Sequence, residues 1–222
     1  MGRGWKGMLA CVVIMGGMGG TAPYPGLAPA MALTAGPDAF LPTEQEILLQ
    51  VETYLNNVGT VRARFLQVSG TGVYAEGTVF LSRPGRMRLE YDPPSPLLIV
   101  ADGRHLIYYD AKLEQTSYIG LETTPAGILL RVPVRLKGDV TVMAIHRVPG
   151  AVEVSLIQTR DPSAGELTLL FSEKPFALKQ WRVRDAQGQT VTVSLYDAET
   201  DVKLDPKLFT FTDQKFFKPH DS

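Results

Sequence analysis

From Val61 onward the apolar residues of this chain recur at every second position, and that period limits the fold more than any other feature. Val61, Ala63 and Phe65 alternate with Arg62 and Arg64; Met87, Leu89 and Tyr91 alternate with Arg86, Arg88 and Glu90. Val152, Val154 and Leu156 follow the same rule, as do Leu167, Leu169 and Phe171, then Lys179, Trp181 and Val183, then Val191, Val193 and Leu195. Successive side chains of a strand point to opposite faces, so each run predicts a strand with one apolar and one polar side. Arg83-Pro84-Gly85, Asp102-Gly103, Pro149-Gly150, Asp161-Pro162-Ser163 and Gln187-Gly188 punctuate the runs at hairpin distances. About ten strands, mostly antiparallel neighbours, are expected.

Helical signals are few. Thr43-Glu44-Gln45-Glu46 reads as a capping box, and Ile47, Leu48, Val51 and Leu55 recur at helical spacing until Asn56-Asn57 and Gly59. Thr123-Thr124-Pro125 reads as a second start, with a hydroxyl cap and proline at the first position, leading into Ile128, Leu129, Leu130 and Val132 before Pro133. This short apolar insert is either a plug in the core or a lid over the apolar sheet face. The strands together present more apolar surface than two short helices cover. The sheet therefore either closes as a filled barrel or curves into an incomplete barrel around a cavity, and periodicity alone leaves both open.

The N-terminus predicts export. Arg3 and Lys6 precede the apolar stretch Met8–Met18, the first acid is Asp38, and small-residue sites follow at Ala28-Pro29-Ala30 and Ala30-Met31-Ala32. This is the order of a secretory signal, placing cleavage after Ala30 or Ala32 and residues 1–32 outside the mature chain. A retained anchor is the competing reading, but the stretch is shorter than the ~20 apolar residues of a spanning helix. Cys11, the only cysteine, sits where a lipoprotein cysteine would need a longer apolar run before it; it reads as part of the signal. A mature chain starting at residue 33 then lacks thiol chemistry. It carries 20 Lys and Arg against 23 Asp and Glu, a net charge near −3 with no basic stripe for nucleic acid. Residues 33–42, with Gly36, Pro37 and Pro42, read as a flexible leader, 43–216 as one domain and 217–222 as a tail.

Catalytic chemistry finds no support. His105, His146 and His220 lie far apart and form no metal-ligand spacing, and the chain has neither a glycine-rich phosphate loop nor a G-x-S-x-G elbow. No cofactor is implied. Asp102-Gly103 and Asp185 to Gly188 read as hairpin turns in preference to metal loops. On residue type alone the methionine and aromatic positions read as core.

Three segments, in order, resemble the LolA family of periplasmic lipoprotein carriers. Tyr54-Leu55-Asn56 followed by Ala63, Phe65 and Gln67 is similar to the family's passage from helix into strand. Gly77, Arg83-Pro84, Arg88, Glu90-Tyr91 and Pro94 resemble its next hairpin; Asp102-Gly103, Leu106, Tyr109-Asp110, Leu113 and Gln115 resemble the one after. A fourth, weaker likeness runs from Leu178 through Asp185 and Gly188 to Leu195, with Phe209-Thr210-Phe211 near the end. Each motif is largely hairpin grammar, and their order and spacing carry the signal. Two features depart from the pattern: Ile107 stands where many members have tryptophan, and the family's usual continuation after Phe211 is not found in residues 212–222.

The resemblance implies a mainly β fold: a strongly curved antiparallel sheet, an incomplete β-barrel, whose apolar concave face is covered by short α-helices. It implies a monomeric, non-enzymatic chaperone of the periplasm. Its partners would be acylated lipoproteins, an inner-membrane ABC transporter of the LolCDE type that releases them, and an outer-membrane acceptor of the LolB type. A LolA-like carrier or sensor of another lipid or glycolipid is the alternative. Arg83 falls on an arginine that in the family hydrogen-bonds lid backbone; a solvated turn arginine is the competing reading. Met87, Leu89 and Tyr91 fall on cavity-facing positions, and Leu129 and Leu130 are the expected lid residues.

Overall fold

In the computed structural model, residues 42–212 are described. Helix α1 (Pro42–Asn57) precedes eleven strands. They are β1 (Thr60–Ser69), β2 (Tyr74–Ser82), β3 (Arg86–Tyr91), β4 (Leu97–Asp102), β5 (His105–Asp110), β6 (Gln115–Gly120), β7 (Val140–Val148), β8 (Ala151–Gln158), β9 (Gly165–Glu173), β10 (Phe176–Asp185) and β11 (Thr190–Thr200). Between β6 and β7 lie a 3-10 turn (Leu121–Thr123) and α2 (Ala126–Leu130); a further 3-10 turn, Pro206–Phe209, follows β11. The expected signal sequence and leader up to Leu41, and the expected tail, fall outside the described residues.

All eleven strands form one sheet in the order β6-β5-β4-β3-β2-β1-β11-β10-β9-β8-β7, every neighbour antiparallel. Both edges are free of each other, so the sheet is an open one and not a closed barrel. Ten strand spacings of about 4.8 Å would make a flat sheet roughly 50 Å wide. A 16-residue helix is only about 24 Å long. Yet side chains of β1 to β5 and β7 to β11 join α1 and α2 in one apolar core. Only a sheet curled around its apolar face brings them together.

The alternation predicts that face well. Val61, Ala63, Phe65, Val152, Val154, Leu156, Leu167, Leu169 and Phe171 are all buried, and Ile47, Val51 and Leu55 of α1 cover them. The turn signals at residues 83–85, 102–103, 149–150, 161–163 and 187–188 all fall between paired strands. Curvature has a local cause at Gly77, which faces Phe65 across the β1–β2 ladder. A Cβ there would lie 2.1 Å from the Glu90 carbonyl oxygen and 2.7 Å from the Phe65 ring. Removing the side chain lets β3 and the ring close over this point.

Three expectations need correction. Lys179 is exposed and Leu178 buried, because a register shift between Leu178 and Gln180 inserts a residue and reverses the phase ahead of Trp181. Helix α1 already includes Pro42, so Thr43 lies inside the first turn and not ahead of it as a cap. Helix α2 has Pro125 at its N-cap with no side-chain cap; the Thr124 hydroxyl instead donates to the Leu121 carbonyl at 2.8 Å. The expected turn motifs at Asp102 and Asp185 do form: Asp102 Oδ1 accepts from the amides of Arg104 and His105, and Asp185 Oδ1 from those of Gln187 and Gln189.

The other face of the sheet carries a smaller apolar layer. Val100 and Ile107, paired across β4 and β5, are buried there, and the turn Pro206–Phe209 packs against β3 and β4. Arg88 Nη1 donates to the Leu208 carbonyl at 3.1 Å, and the Tyr109 and Phe211 rings meet at 5.5 Å.

Candidate functional site

Strands β6 and β7 are consecutive in sequence and lie at opposite edges of the sheet. The chain must therefore cross from one edge to the other, and residues 121–139 make that crossing over the apolar face. Leu121, Ile128, Leu129, Leu130, Val134 and Leu136 point into the main core and are at most 6% exposed. Met87, Leu89 and Tyr91 of β3 lie in the same core, at 6%, 3% and 9% exposure. Five of the six residues singled out from the sequence thus share one core, Met87, Leu89 and Tyr91 from the sheet and Leu129 and Leu130 from the segment that crosses it. Val132, expected with them, is instead exposed.

The sixth, Arg83, sits outside that core in the β2–β3 turn and touches the segment's backbone. Its Nη2 donates to the Arg131 carbonyl at 2.5 Å, at the C-terminal end of α2, and its Nη1 to the Val58 carbonyl at 3.5 Å. Two bonds of the same turn's backbone lie beside it: Arg83 N to Gly59 O and Gly85 N to Leu130 O, both 2.8 Å. Gly85 has φ +77°, and a Cβ there would be 2.9 Å from the Gly103 Cα. Glycine is required for the turn to present its amide to Leu130. The β2–β3 turn thus clasps the α1–β1 corner on one side and the end of α2 on the other.

This clasp is costly to hold. Arg83 Nε is buried without a hydrogen-bond partner. Burial also disfavours the charged guanidinium, lowering its pKa from the usual 12.5 to about 10. An unmet buried donor costs about 1–3 kcal/mol, more on a charged group. A turn selected only for stability would be expected to avoid that penalty.

Three anchors were not legible in the sequence. Asn56 Nδ2 donates to the Val134 carbonyl at 2.9 Å, while Asn56 Oδ1 accepts from the Val134 amide at 2.7 Å. Glu52 Oε1 accepts from the Leu136 amide at 2.5 Å, and buried Gln158 donates to the Thr124 carbonyl at 2.8 Å. In sequence these are a helix stop, a polar helix position and a strand end. Nothing in their spacing distinguishes them from solvated residues.

The polar groups of the apolar face gather at the end away from Arg83. Tyr91 Oη donates to Gln67 Oε1 at 2.7 Å, and the Tyr91 ring meets Phe65 edge-on at 5.2 Å. Burial pushes the Tyr91 phenol well above its usual pKa, opposed in part by the Gln67 bond, and burial likewise raises Tyr108. On the opposite face of the sheet, grooves of about 370 and 450 Å³ flank the chain from Val202 to Thr212. Among the described residues no cluster of side chains could hold a metal ion, and no helix is long and apolar enough to cross a membrane.

Comparison with known proteins follows the same lines. The family model described as outer membrane lipoprotein carrier protein LolA matches residues 56–212. An outer-membrane lipoprotein carrier protein of Nitrosomonas europaea is 28% identical over 182 residues, covering 78% of this chain and 87% of the relative. One from Legionella pneumophila strain Paris is 30% identical over 190 residues, covering 80% and 90%. Among solved structures, a LolA superfamily protein of Nitrosomonas europaea aligns over 75% of this chain and 97% of its own, at 12% identity and a TM-score of 0.46. The chain belongs to the LolA family of outer membrane lipoprotein carrier proteins.

Proposed function

We propose that the chain is a periplasmic chaperone that takes the acyl chains of lipoproteins onto its covered apolar face and carries them to the outer membrane. It would receive them from an ABC transporter of the LolCDE type and pass them to a LolB-type acceptor. Residues 1–32 would direct export and be removed. No covalent bond is made or broken. The observation that carries this reading is the segment 121–139, laid over an apolar sheet face and fastened by an arginine that is only partly satisfied.

The physical requirement is plain. Each acyl methylene moved out of water contributes about 0.8 kcal/mol, so a multiply acylated protein needs an apolar host between two membranes. The same host must let go. In the present arrangement Leu129 and Leu130 of α2 pack in one core with Met87, Leu89 and Tyr91, so entry of an acyl chain requires α2 to swing away. Arg83 holds the closed form through carbonyls of the segment and of the α1–β1 corner, and its unmet donor keeps that form from becoming too stable. Ligand then shifts a shallow open–closed equilibrium.

Mass spectrometry of the folded protein after incubation with a triacylated lipoprotein tests this. A complex with the acylated protein is the expected result. Binding of other lipids but not of the lipoprotein would favour a carrier of a different lipid, and binding of neither would remove the carrier reading.

A further inference from the structure

Resting on that reading, we infer that Gln67, oriented by Tyr91, is a carbonyl-binding subsite that receives the ester or amide linkage of a bound acyl chain. The inward-facing series of β1 runs Val61, Ala63, Phe65, Gln67, so it is apolar for three positions and then turns polar. Its register fixes the direction of that change. Val61 pairs with Leu81 and, beyond it, Met87, beside the turn that holds Arg83; Phe65 pairs with Gly77 and, beyond it, Tyr91. The apolar face therefore has a clasped, hydrocarbon-lined end and a polar end, separated along β3 by about 17 Å at strand rise.

The chemistry at the polar end is that of a donor site. An acyl carbonyl accepts hydrogen bonds and donates none. Tyr91 spends its proton on Gln67 Oε1, which turns the amide NH2 of Gln67 away from the ring. That NH2 has no hydrogen bond to another described residue, and neither does the Tyr108 hydroxyl, whose ring is partly buried against the same core. Tyr108 pairs with Ile99, which pairs with Leu89, so it lies on the same side of the sheet next to the β3 series. The unspent Gln67 NH2 thus borders the polar end of the apolar face, while Tyr108 stands level with Leu89 nearer its middle. A chain lying with its carbonyl there runs its hydrocarbon past Leu89 and Met87 toward α2, and the protein part of the cargo leaves at the polar end.

The test uses two lipids that differ only in the carbonyl: 1-palmitoyl glycerol and its ether counterpart, 1-O-hexadecyl glycerol, in competition against an environment-sensitive fluorophore bound to the full mature chain. One hydrogen bond predicts about three- to tenfold tighter binding of the ester. Gln67→Met is expected to abolish that preference, as is Gln67→Glu, which keeps an acceptor for Tyr91 but removes the donor; the near-UV circular dichroism of each variant reports that it folds. Equal binding of ester and ether by the natural chain, or an ester preference that survives Gln67→Met, overturns the subsite and leaves the carrier reading standing. Failure of both lipids to bind the natural chain overturns the subsite and weakens the carrier reading with it.

Discussion

Arg83 is the residue whose chemistry is least explained by folding alone. Its guanidinium is desolvated and incompletely bonded, so Arg83→Leu removes a penalty along with its two hydrogen bonds. The net change in unfolding stability is expected to stay within about 1.5 kcal/mol. Amide exchange at Ile128 and Arg131 should nevertheless rise as the closed form loses its clasp; unchanged exchange together with unchanged ligand release would return Arg83 to an ordinary turn residue. Tyr91 sets a pH signature. Its folded pKa lies above the unfolded value of 10, so the stability it contributes is complete below pH 10 and declines as pH rises beyond it, by up to about 1.4 kcal/mol per pH unit. Tyr108 acts in the same direction, whereas Arg83, with its pKa lowered, acts oppositely above pH 10. Denaturant titrations of Tyr91→Phe between pH 9 and 11 should show a shallower alkaline decline than the natural chain; an identical decline would mean that the phenol is not protected. Arg83 was singled out through family resemblance, because a turn arginine carries no periodic signal. Asn56, Glu52 and Gln158 carried none at all, since their partners are backbone groups 78, 84 and 34 positions away.

At the level of elements, strands were legible wherever one face meets the core and the other meets water. Period two fails where a bulge adds a residue, as at Leu178–Gln180, and where both faces are covered, as in the continuous apolar run of β4 beneath the turn Pro206–Phe209. The crossing segment was legible as an apolar insert, and its alternatives of plug and lid could not be separated. The structure shows why: it fills the core as a plug does, yet hangs from a small set of polar anchors. Asn56 supplies two of them to a single residue, Val134. Asn56→Ala strands both backbone groups of Val134 and is expected to cost about 1–3 kcal/mol. Exchange at the Val134 and Leu136 amides should accelerate more than exchange in β8 or β9. Uniform acceleration across all of these would show that the segment does not open as a unit.

At the scale of the whole molecule, the decisive feature is an eleven-strand sheet left open, with its two edges joined through the core by residues 121–139. A meander of hairpins predicts neighbours well, but it contains no signal for the β1–β11 pairing or for a connection that leaves one edge and returns at the other. The choice between a filled barrel and an open one was therefore settled by topology and not by periodicity. On the proposed function, a cover that can be released from an open sheet would let apolar volume be exchanged between side chains and a ligand without unfolding. Inner-membrane vesicles bearing a LolCDE-type transporter, ATP and a labelled lipoprotein provide the test, with residues 33–222 of this chain added from outside. Label recovered in the soluble fraction as a complex with this chain is the expected result; label that stays on the vesicles, with the chain folded and the transporter active, would contradict it.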